Sequence, residues 1–521
     1  MRVAIVGAGP KGVFAAERLL AHLGGAPAQV TLLDPQPPGS GAAYHPVQPG
    51  WLRLNVASSL VDAGWRTGPR PSSGWLTTLD QWRLDSGEPK PLDPFPARGL
   101  VGAYLAWVWD GLVRSAPAGV ELRHRAVAVT SVTPSGHGWE VDGDTYDEVL
   151  LACGHASDWP GALRHHWTGP ERLVDRVYPV AGLDTIRPGE AVATRGAALT
   201  FVDAALALTE GRGGRFVSGD GHRAPRYLTS GTEPRVIWPT SRTGRLPSVK
   251  PQPGSTLATI ERADAVAASH RRVQSAESAE RALSEVGVLA RELLTRAGGT
   301  GSDDVAAVAE GALTGADPAE SLARSLAIAT GRHRPDAIWA VGQAWRDAYP
   351  ALVVRFSGTG AMSGFAAFAT MAGKLESVAF GPPPVNAAKL LSLIEAGVVD
   401  PSSLGAASAG PTGFAWVACG PPADVVIDAV LPPPGAAGVP GALPGHLLAT
   451  GRVAGAQGRR GLAIDDDGTC LDKKGDRTEG LAALGRPTED VTIGNDTLSR
   501  TLHGTTERWA ARVAGRLEVA R

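Results

Sequence analysis

The first 34 residues narrow the choice of fold more than any other stretch. In "RVAIVGAGPKGVFAAERLLAHLG", residues 3–6 are small or β-branched and apolar, the pattern of a strand buried on both faces. Gly7, Gly9 and Gly12 follow at G-x-G-x-x-G spacing, and residues 13–23 read as a helix. The three glycines provide, in turn, a tight turn, room for a pyrophosphate to reach the backbone, and close packing of helix on strand. The helix N-terminus adds N–H groups for the phosphates. A second strand, "QVTLLDP", ends in Asp34, where a carboxylate can accept a hydrogen bond from a ribose 2′-OH and so favours an unphosphorylated adenosine ribose. Strand, glycines, helix, strand and acid in this order predict a Rossmann-like dinucleotide-binding unit, with FAD and NAD both open at this point.

A chain of 521 residues is too long for one hydrophobic core, so two or three domains are expected. Basic and acidic residues nearly balance, 50 against 52, which argues against a nucleic-acid partner, since that needs a clustered excess of Lys and Arg. Cys153, Cys419 and Cys470 are scattered without a C-x-x-C, so neither a disulfide framework nor a zinc site is expected. The apolar run at the start is too short to span a membrane and lacks a signal-peptide pattern, so the chain reads as a cytoplasmic protein with no membrane partner.

Four stretches, "GAGPKG" with Pro10 and Lys11, "WLRLNVASSLVDAG" with "PSSGWLTTL", "FPARGLVGAYLAW", and "DEVLLACGHASDWP", occur in that order within the first 160 residues. The third has Pro96, Arg98, Tyr104, Leu105 and Trp107 as P-x-R-x5-Y-L-x-W. The fourth follows D-x3-L-A-T-G-[YH]-x4-P from Asp147 through Gly154 and His155 to Pro160, except that Cys153 stands where the pattern has Thr. Together they resemble a bacterial FAD/NAD(P)-binding family related to the flavin-dependent N-hydroxylating monooxygenases. The resemblance implies an α/β fold with two dinucleotide-binding, Rossmann-like domains of the flavoprotein monooxygenase type and a helical insertion. It makes the first nucleotide FAD, with Arg98 and Gly154 near it; Asn55 reads either as a hydrogen-bond donor near the flavin or as part of a turn in "LRLNVA". Physically, "YDEVLLACGH" reads as an apolar return strand ending at a Gly, and small Ala152, Cys153 and Gly154 leave room for a planar cofactor. Cys153 and His155 could share a strand face, but a thiol in the Thr position among cofactor-serving neighbours reads as packing.

A second strand, turn and helix stand in "EAVATRGAALTFVDAALALTEG", similar to the nicotinamide-nucleotide turn G-x-G-L-[ST] of these enzymes. Gly196 keeps the first glycine, Ala198 replaces the second, and Thr200 follows; the added methyl puts tight binding in doubt. After the apolar run "RVIWPT" come Ser241, Arg242, Arg245 and Lys250, and arginines there can pair with a ribose 2′-phosphate, favouring NADPH over NADH. A solvated basic loop is the other reading of those residues.

From 256 to 345 the chain has helical spacing, with Asp317, Pro318 and Glu320 as a helix start and Gly331 as a stop. It reads as an insertion that covers the site or makes a homo-oligomer contact. Residues 446–458 read as strand-like. At the end, Asn495, Asp496 and Thr497 are expected to start an amphipathic helix. In the resembled family this tail returns to the FAD domain, where a helix N-terminus could stabilise negative charge on reduced flavin. The expected domains are an FAD domain over 1–165, an NADPH-binding-like domain with helical insertion over 166–345, and a return segment over 346–521.

The resemblance implies that NADPH reduces FAD and that a flavin C4a-hydroperoxide passes one atom of molecular oxygen to a nucleophilic nitrogen. The flavin carries the chemistry, and the protein supplies orientation and electrostatics. The second stretch differs from that of the hydroxylases of long side-chain amines, which favours the amino group of a small amino acid or similar amine. Arg98, always protonated, reads as support for the cofactor or the chain path, not as an acid or base, and no His, Asp or Glu is assigned as catalytic. Oxygenation of S or C, a flavin oxidase or reductase, and a non-catalytic nucleotide-binding protein are the alternatives.

Overall fold

The computed structural model describes residues 1–519 except 65–67, 70–75, 137, 219–223, 313–316, 359–363, 406, 411–412, 417–422, 496 and 501, with only the backbone at 407–410, 413–416 and 518–519. Cys419 and Asp496 therefore lie outside the described residues. The chain divides into two compact units, residues 1–160 with 356–362 and 432–521, and residues 161–355 with 363–431.

Along the chain the first elements are β1 (Arg2–Val6), α1 (Pro10–Leu23), β2 (Ala28–Leu33), α2 (Arg98–Arg114), β3 (Val120–Arg125) and β4 (Glu148–Leu151). Next come β5 (Arg172–Val174), β6 (Ala191–Arg195), α3 (Leu199–Ala207), β7 (Val236–Thr240) and β8 (Val425–Asp428). The last are β9 (Thr469–Leu471), β10 (Arg477–Ala483) and α4 (Thr505–Val519).

The first unit is built on a six-stranded sheet in the order β9-β10-β4-β1-β2-β3, parallel except for the edge pair β9-β10. The expected burial of β1 on both faces follows from its alternation. Val3 and Ile5 pack with Val13, Phe14 and Leu19 of α1, whereas Ala4 and Val6 pack on the other face with Trp139, Val149 and Leu481. Register pairs Val6 with Leu33 and with Leu151, so the residues that follow β1, β2 and β4 emerge at one end of the sheet. Helix α4 is fixed to the opposite end of β4, where buried Glu148 accepts from Trp509 Nε1 at 3.1 Å and pairs with Arg512 and Arg516.

The second unit has a four-stranded parallel sheet in the order β7-β6-β8-β5. Helices Ala263–Gln274, Ala279–Arg296, Pro318–Ala329, Ala337–Phe356, Phe365–Ala379 and Pro384–Glu395 carry the helical segment well past 345. The helix start expected at 317 is present: Asp317 accepts from the backbone N–H of Ala319 and Glu320, both at 2.9 Å.

Two expectations are corrected. Residues 443–449 form a helix, with Pro444 in its first turn where a missing N–H costs nothing, so the strand-like run at 446–458 is not a strand. No helix begins at Asn495 or Thr497: the C-terminal helix starts at Thr505. Asn495 is instead buried, its Nδ2 donating to Thr488 Oγ1 at 3.1 Å and Thr492 Oγ1 at 3.0 Å. Among the described residues no helix is long and apolar enough to cross a membrane.

Candidate cofactor sites

The first site is assembled at the carboxyl end of the six-stranded sheet. Gly7 leaves β1 with φ +108°, and an added Cβ would lie 2.4 Å from Ala152 O, just past β4. Only glycine accepts both the conformation and that approach. Gly12 answers to packing alone, since a Cβ there would sit 2.0 Å from Gly7 O. Gly9 caps α1 in extended conformation without a side-chain cap, and Pro10 opens the helix. Across from it, a Cβ on Gly41 would lie 3.1 Å from Gly9 Cα, so two bare backbones face each other. Backbone without side chains beside a helix N-terminus is the cradle that a pyrophosphate needs.

Asp34 also reaches this turn. Its Oδ2 accepts from Ala8 N and its Oδ1 from Gln36 N, both at 2.8 Å, so the carboxylate first fixes the glycine loop against the end of β2. Each carboxylate oxygen keeps a second lone pair for a hydroxyl donor. Gly154 stands exposed beyond β4 with nothing within 4 Å of an added Cβ. Cys153 Sγ lies 3.8 Å from Val6 O, and burial with the nearby negative charge of Asp34 pushes its thiol up to about 12. His155 is exposed. A thiol held neutral against a strand carbonyl is packing, not a nucleophile.

The P-x-R-x5-Y stretch acts as a brace. Arg98 Nε donates to Arg53 O at 3.1 Å and Arg98 N to Leu52 O at 2.8 Å, while Tyr104 Oη accepts from Ala63 N at 2.9 Å. These contacts hold residues 51–64, including Asn55, along the start of α2. The sequence reading missed Gly485. It follows β10, whose Leu481–Ala483 pair with β4, and the Lys11 side chain passes over it, with Lys11 Cγ 3.5 Å from the position of an added Cβ. An apolar run ending in Gly, "LAALG", was the available signal.

The second site has the same plan at the end of the four-stranded sheet. Gly196 takes φ +105° after β6, and its N–H donates to Thr240 O at 3.0 Å. Ala198 caps α3 at φ −92° and ψ −157°, a conformation open to any residue, with its methyl exposed at the helix N-terminus. Thr200 lies buried in the first turn of α3. Because Thr240 pairs with Arg195, the Ser241–Arg245 loop emerges beside the glycine turn. That loop is closed by Arg245 N donating to Ser241 Oγ at 3.1 Å. Arg242 is exposed, and Arg245 is half-buried with its guanidinium pKa lowered by burial.

Asp428 was also missed. It ends β8 at 3% exposure, its Oδ2 accepting from Leu163 N at 2.8 Å and lying 3.4 Å from Arg195 Nη1. Burial raises its carboxyl pKa above the usual range. The run "DVVID" carried the signal, an apolar strand ending in an acid as in "QVTLLD". Among the described residues no cluster of three or more His, Cys, Asp or Glu could hold a metal ion.

Two nucleotide-type turns on parallel sheets define a protein of the two-dinucleotide-domain class. Residues 4–156, within the first unit, match the FAD-NAD(P)-binding family model. The chain is 33% identical over 265 residues to a nitrosuccinic acid synthase of Aspergillus oryzae, covering 45% of this chain and 39% of that protein. It is 32% identical over 277 residues to an L-aspartate N-monooxygenase (nitrosuccinate-forming) of Streptomyces davaonensis, covering 45% and 42%. The match thus spans about two fifths of the length of these curated relatives. The ornithine N-hydroxylase of Kutzneria sp. 744 has the same fold, with a TM-score of 0.51 over 99% of each chain at 13% identity.

Proposed function

We propose that this chain is an FAD-dependent, NADPH-using monooxygenase that N-hydroxylates the amino group of a small amino acid, with an acidic amino acid such as L-aspartate as its substrate. The observation that carries this reading is the 32–33% identity, over more than 260 residues, to proteins named for nitrosuccinate formation and aspartate N-oxygenation. The glycine cradle at Gly7, Gly9, Gly12 and Gly41 supports it.

In this reading FAD, reduced by NADPH, supplies the activation of molecular oxygen. The chain's own residues bind and orient. Gly7, Gly9 and Pro10 take the pyrophosphate of FAD at the backbone of the turn, Gly12 lets the helix lie against it, and Asp34 accepts the adenosine ribose hydroxyl. Asn55, Arg98 and Gly154 border the flavin, with Arg98 acting through the loop that it braces. Gly196 and the first turn of α3 take the NADPH pyrophosphate, and Arg242 and Arg245 the 2′-phosphate. The substrate amine must be unprotonated to attack, so the site should lower its pKa by burial or a neighbouring positive charge.

The test is NADPH consumption by the FAD-loaded protein with a panel of amino acids. The expected result is aspartate-dependent formation of a product bearing new oxygen on nitrogen. Stoichiometric hydrogen peroxide with no oxygenated amino acid would overturn the reading in favour of an oxidase.

A further inference from the structure

In the second unit the helix Ala263–Gln274 buries one stripe, Ala265, Ser269 and Val273. A second stripe at i, i+3, i+4 and i+7 spacing, Ala263, Val266, Ala267 and His270, borders a cavity beside Asp347 of the helix Ala337–Phe356. The cavity measures about 510 Å³, is open to solvent and falls within the size range of small-molecule sites. None of its described lining residues belongs to either glycine turn.

The polar groups at this cavity are held in place and only partly used. Arg262 Nε donates to Asp347 Oδ2 at 3.0 Å and Nη1 to Ala258 O at 3.3 Å, whereas Nη2 meets no acceptor among the described residues. Asp347 Oδ1 accepts from Gln343 Nε2 at 2.9 Å, so both carboxylate oxygens are engaged and Asp347 aims the guanidinium. His270 Nε2 donates to Asp347 O at 2.7 Å. A carbonyl only accepts, so Nε2 carries the proton and Nδ1 of the neutral ring remains an acceptor. The exposed Glu261 carboxylate has no hydrogen bond or ion pair among the described residues; only its backbone carbonyl is bonded, by Arg296. The other charges nearby are engaged elsewhere. Arg346 donates to Gln343 Oε1 at 2.8 Å and Ala379 O at 2.7 Å, and Asp264 pairs with Arg296 at 2.6 Å.

A guanidinium edge and a carboxylate, on adjacent residues, thus face a ligand together with an apolar strip. A simple anion would meet Glu261 as well as Arg262, and a simple cation would meet the reverse; a ligand with both charges on one carbon satisfies both. We propose that this cavity binds a free amino acid with an apolar side chain. Its α-carboxylate pairs with Arg262 Nη2, its α-ammonium with Glu261 and His270 Nδ1, and its side chain lies on Ala263, Val266 and Ala267. The guanidinium already fixed by Asp347 loses little freedom when the charge-assisted bond forms. An acidic side chain would be desolvated against the apolar strip, so L-aspartate is disfavoured here. The inference stands apart from the flavin reading.

The test is a calorimetric titration of the full-length protein, with FAD present. The probes are L-leucine, 4-methylpentanoate, which lacks the ammonium, and 3-methylbutylamine, which lacks the carboxylate. L-Leucine should bind once per chain with a Kd of about 1 mM or below. Each truncated analogue should bind about tenfold or more weakly, the effect of losing one charge-assisted contact. Glu261→Gln should weaken L-leucine about tenfold and leave 4-methylpentanoate unchanged. Ala267→Trp, at an exposed position, should fill the cavity and abolish L-leucine binding. No saturable L-leucine binding up to about 10 mM, or equal affinity for L-leucine and either analogue, overturns the proposal. So does L-leucine binding that survives Ala267→Trp or is unaltered by Glu261→Gln. A protein that shows no flavin spectrum after FAD addition, yet binds L-leucine in this way, loses the flavin reading and keeps this site.

Discussion

The two glycine turns share one requirement and differ in the others. Gly7 and Gly196 adopt nearly the same positive φ, +108° and +105°, because each chain must turn sharply out of its strand. Two positions on, Gly9 is matched by Ala198, and five positions on, Gly12 is matched by Phe201. At Gly12 the helix lies against the strand so closely that one methyl would strike the Gly7 carbonyl. At the matching place α3 accommodates a fully buried Phe201. The first glycine of such a motif is thus demanded by the backbone and the third by helix-to-strand distance, whereas at the second an added Cβ would meet nothing closer than Gly41 Cα at 3.6 Å.

The largest effects expected from that contrast lie at the third positions. Phe201→Ala should leave a cavity and cost about 3–5 kcal/mol in denaturant unfolding, whereas Gly12→Ala overpacks and should cost about 1–3 kcal/mol. A neutral Phe201→Ala would mean that α3 can close onto β6, which would erase the difference between the turns.

Acid response should separate the units next. The pKa of His503 is lower in the folded first unit, about 4, than its ordinary value of 6.5. The unfolded chain then binds the extra proton between those values, so this contribution is complete above pH about 6.5 and is lost as pH falls toward 4. The loss is about 3 kcal/mol at most, and His503→Gln should flatten it. Asp428 in the second unit, with its pKa raised, has the opposite sign: its contribution is present at low pH and is lost as pH rises through its folded pKa. Equal acid slopes for the protein and its His503→Gln variant would remove the His503 assignment.

What was legible in the sequence was local. The βαβ order, the return strand at 148–151, the Asp317 cap and the second strand-turn-helix are each fixed by neighbouring residues, through period, glycine position or capping. What escaped depends on distant parts of the chain. Asn495 and Thr497 carry the composition of a helix start, yet Thr488 and Thr492 claim the Asn495 amide. Gly485 and Asp428 acquire meaning only because β10 pairs with β4 and β8 with β6, long-range pairings that no local spacing reveals. Arg98 also donates to Arg53 O and Leu52 O, bonds to the loop at 51–54 that its motif spacing does not show.

Smaller effects should follow at the rim of the second turn. Loss of one charge-assisted hydrogen bond is worth about 1.5–3 kcal/mol, so Arg245→Ala should weaken NADPH by roughly tenfold or more and leave NADH unchanged. Exposed Arg242 should contribute less alone than half-buried Arg245, because solvent screens it more. Equal losses for NADPH and NADH in the double variant would end the 2′-phosphate assignment.

The smallest change bears most directly on the comparison. Ala198 caps α3 in a conformation that any residue adopts, so Ala198→Gly should alter stability by only a few tenths of a kcal/mol. Its exposed methyl stands at a helix N-terminus with no side-chain cap, the place where the first turn offers Gly9. If that methyl only holds the pyrophosphate away from the backbone, its removal should tighten NADPH by roughly fivefold, about 1 kcal/mol. The gain should extend to NADH, since both cofactors share the pyrophosphate, and this separates it from the arginine effect. Unchanged affinity for both would show that the second turn does not carry the pyrophosphate, and the likeness between the two turns would then be one of backbone alone.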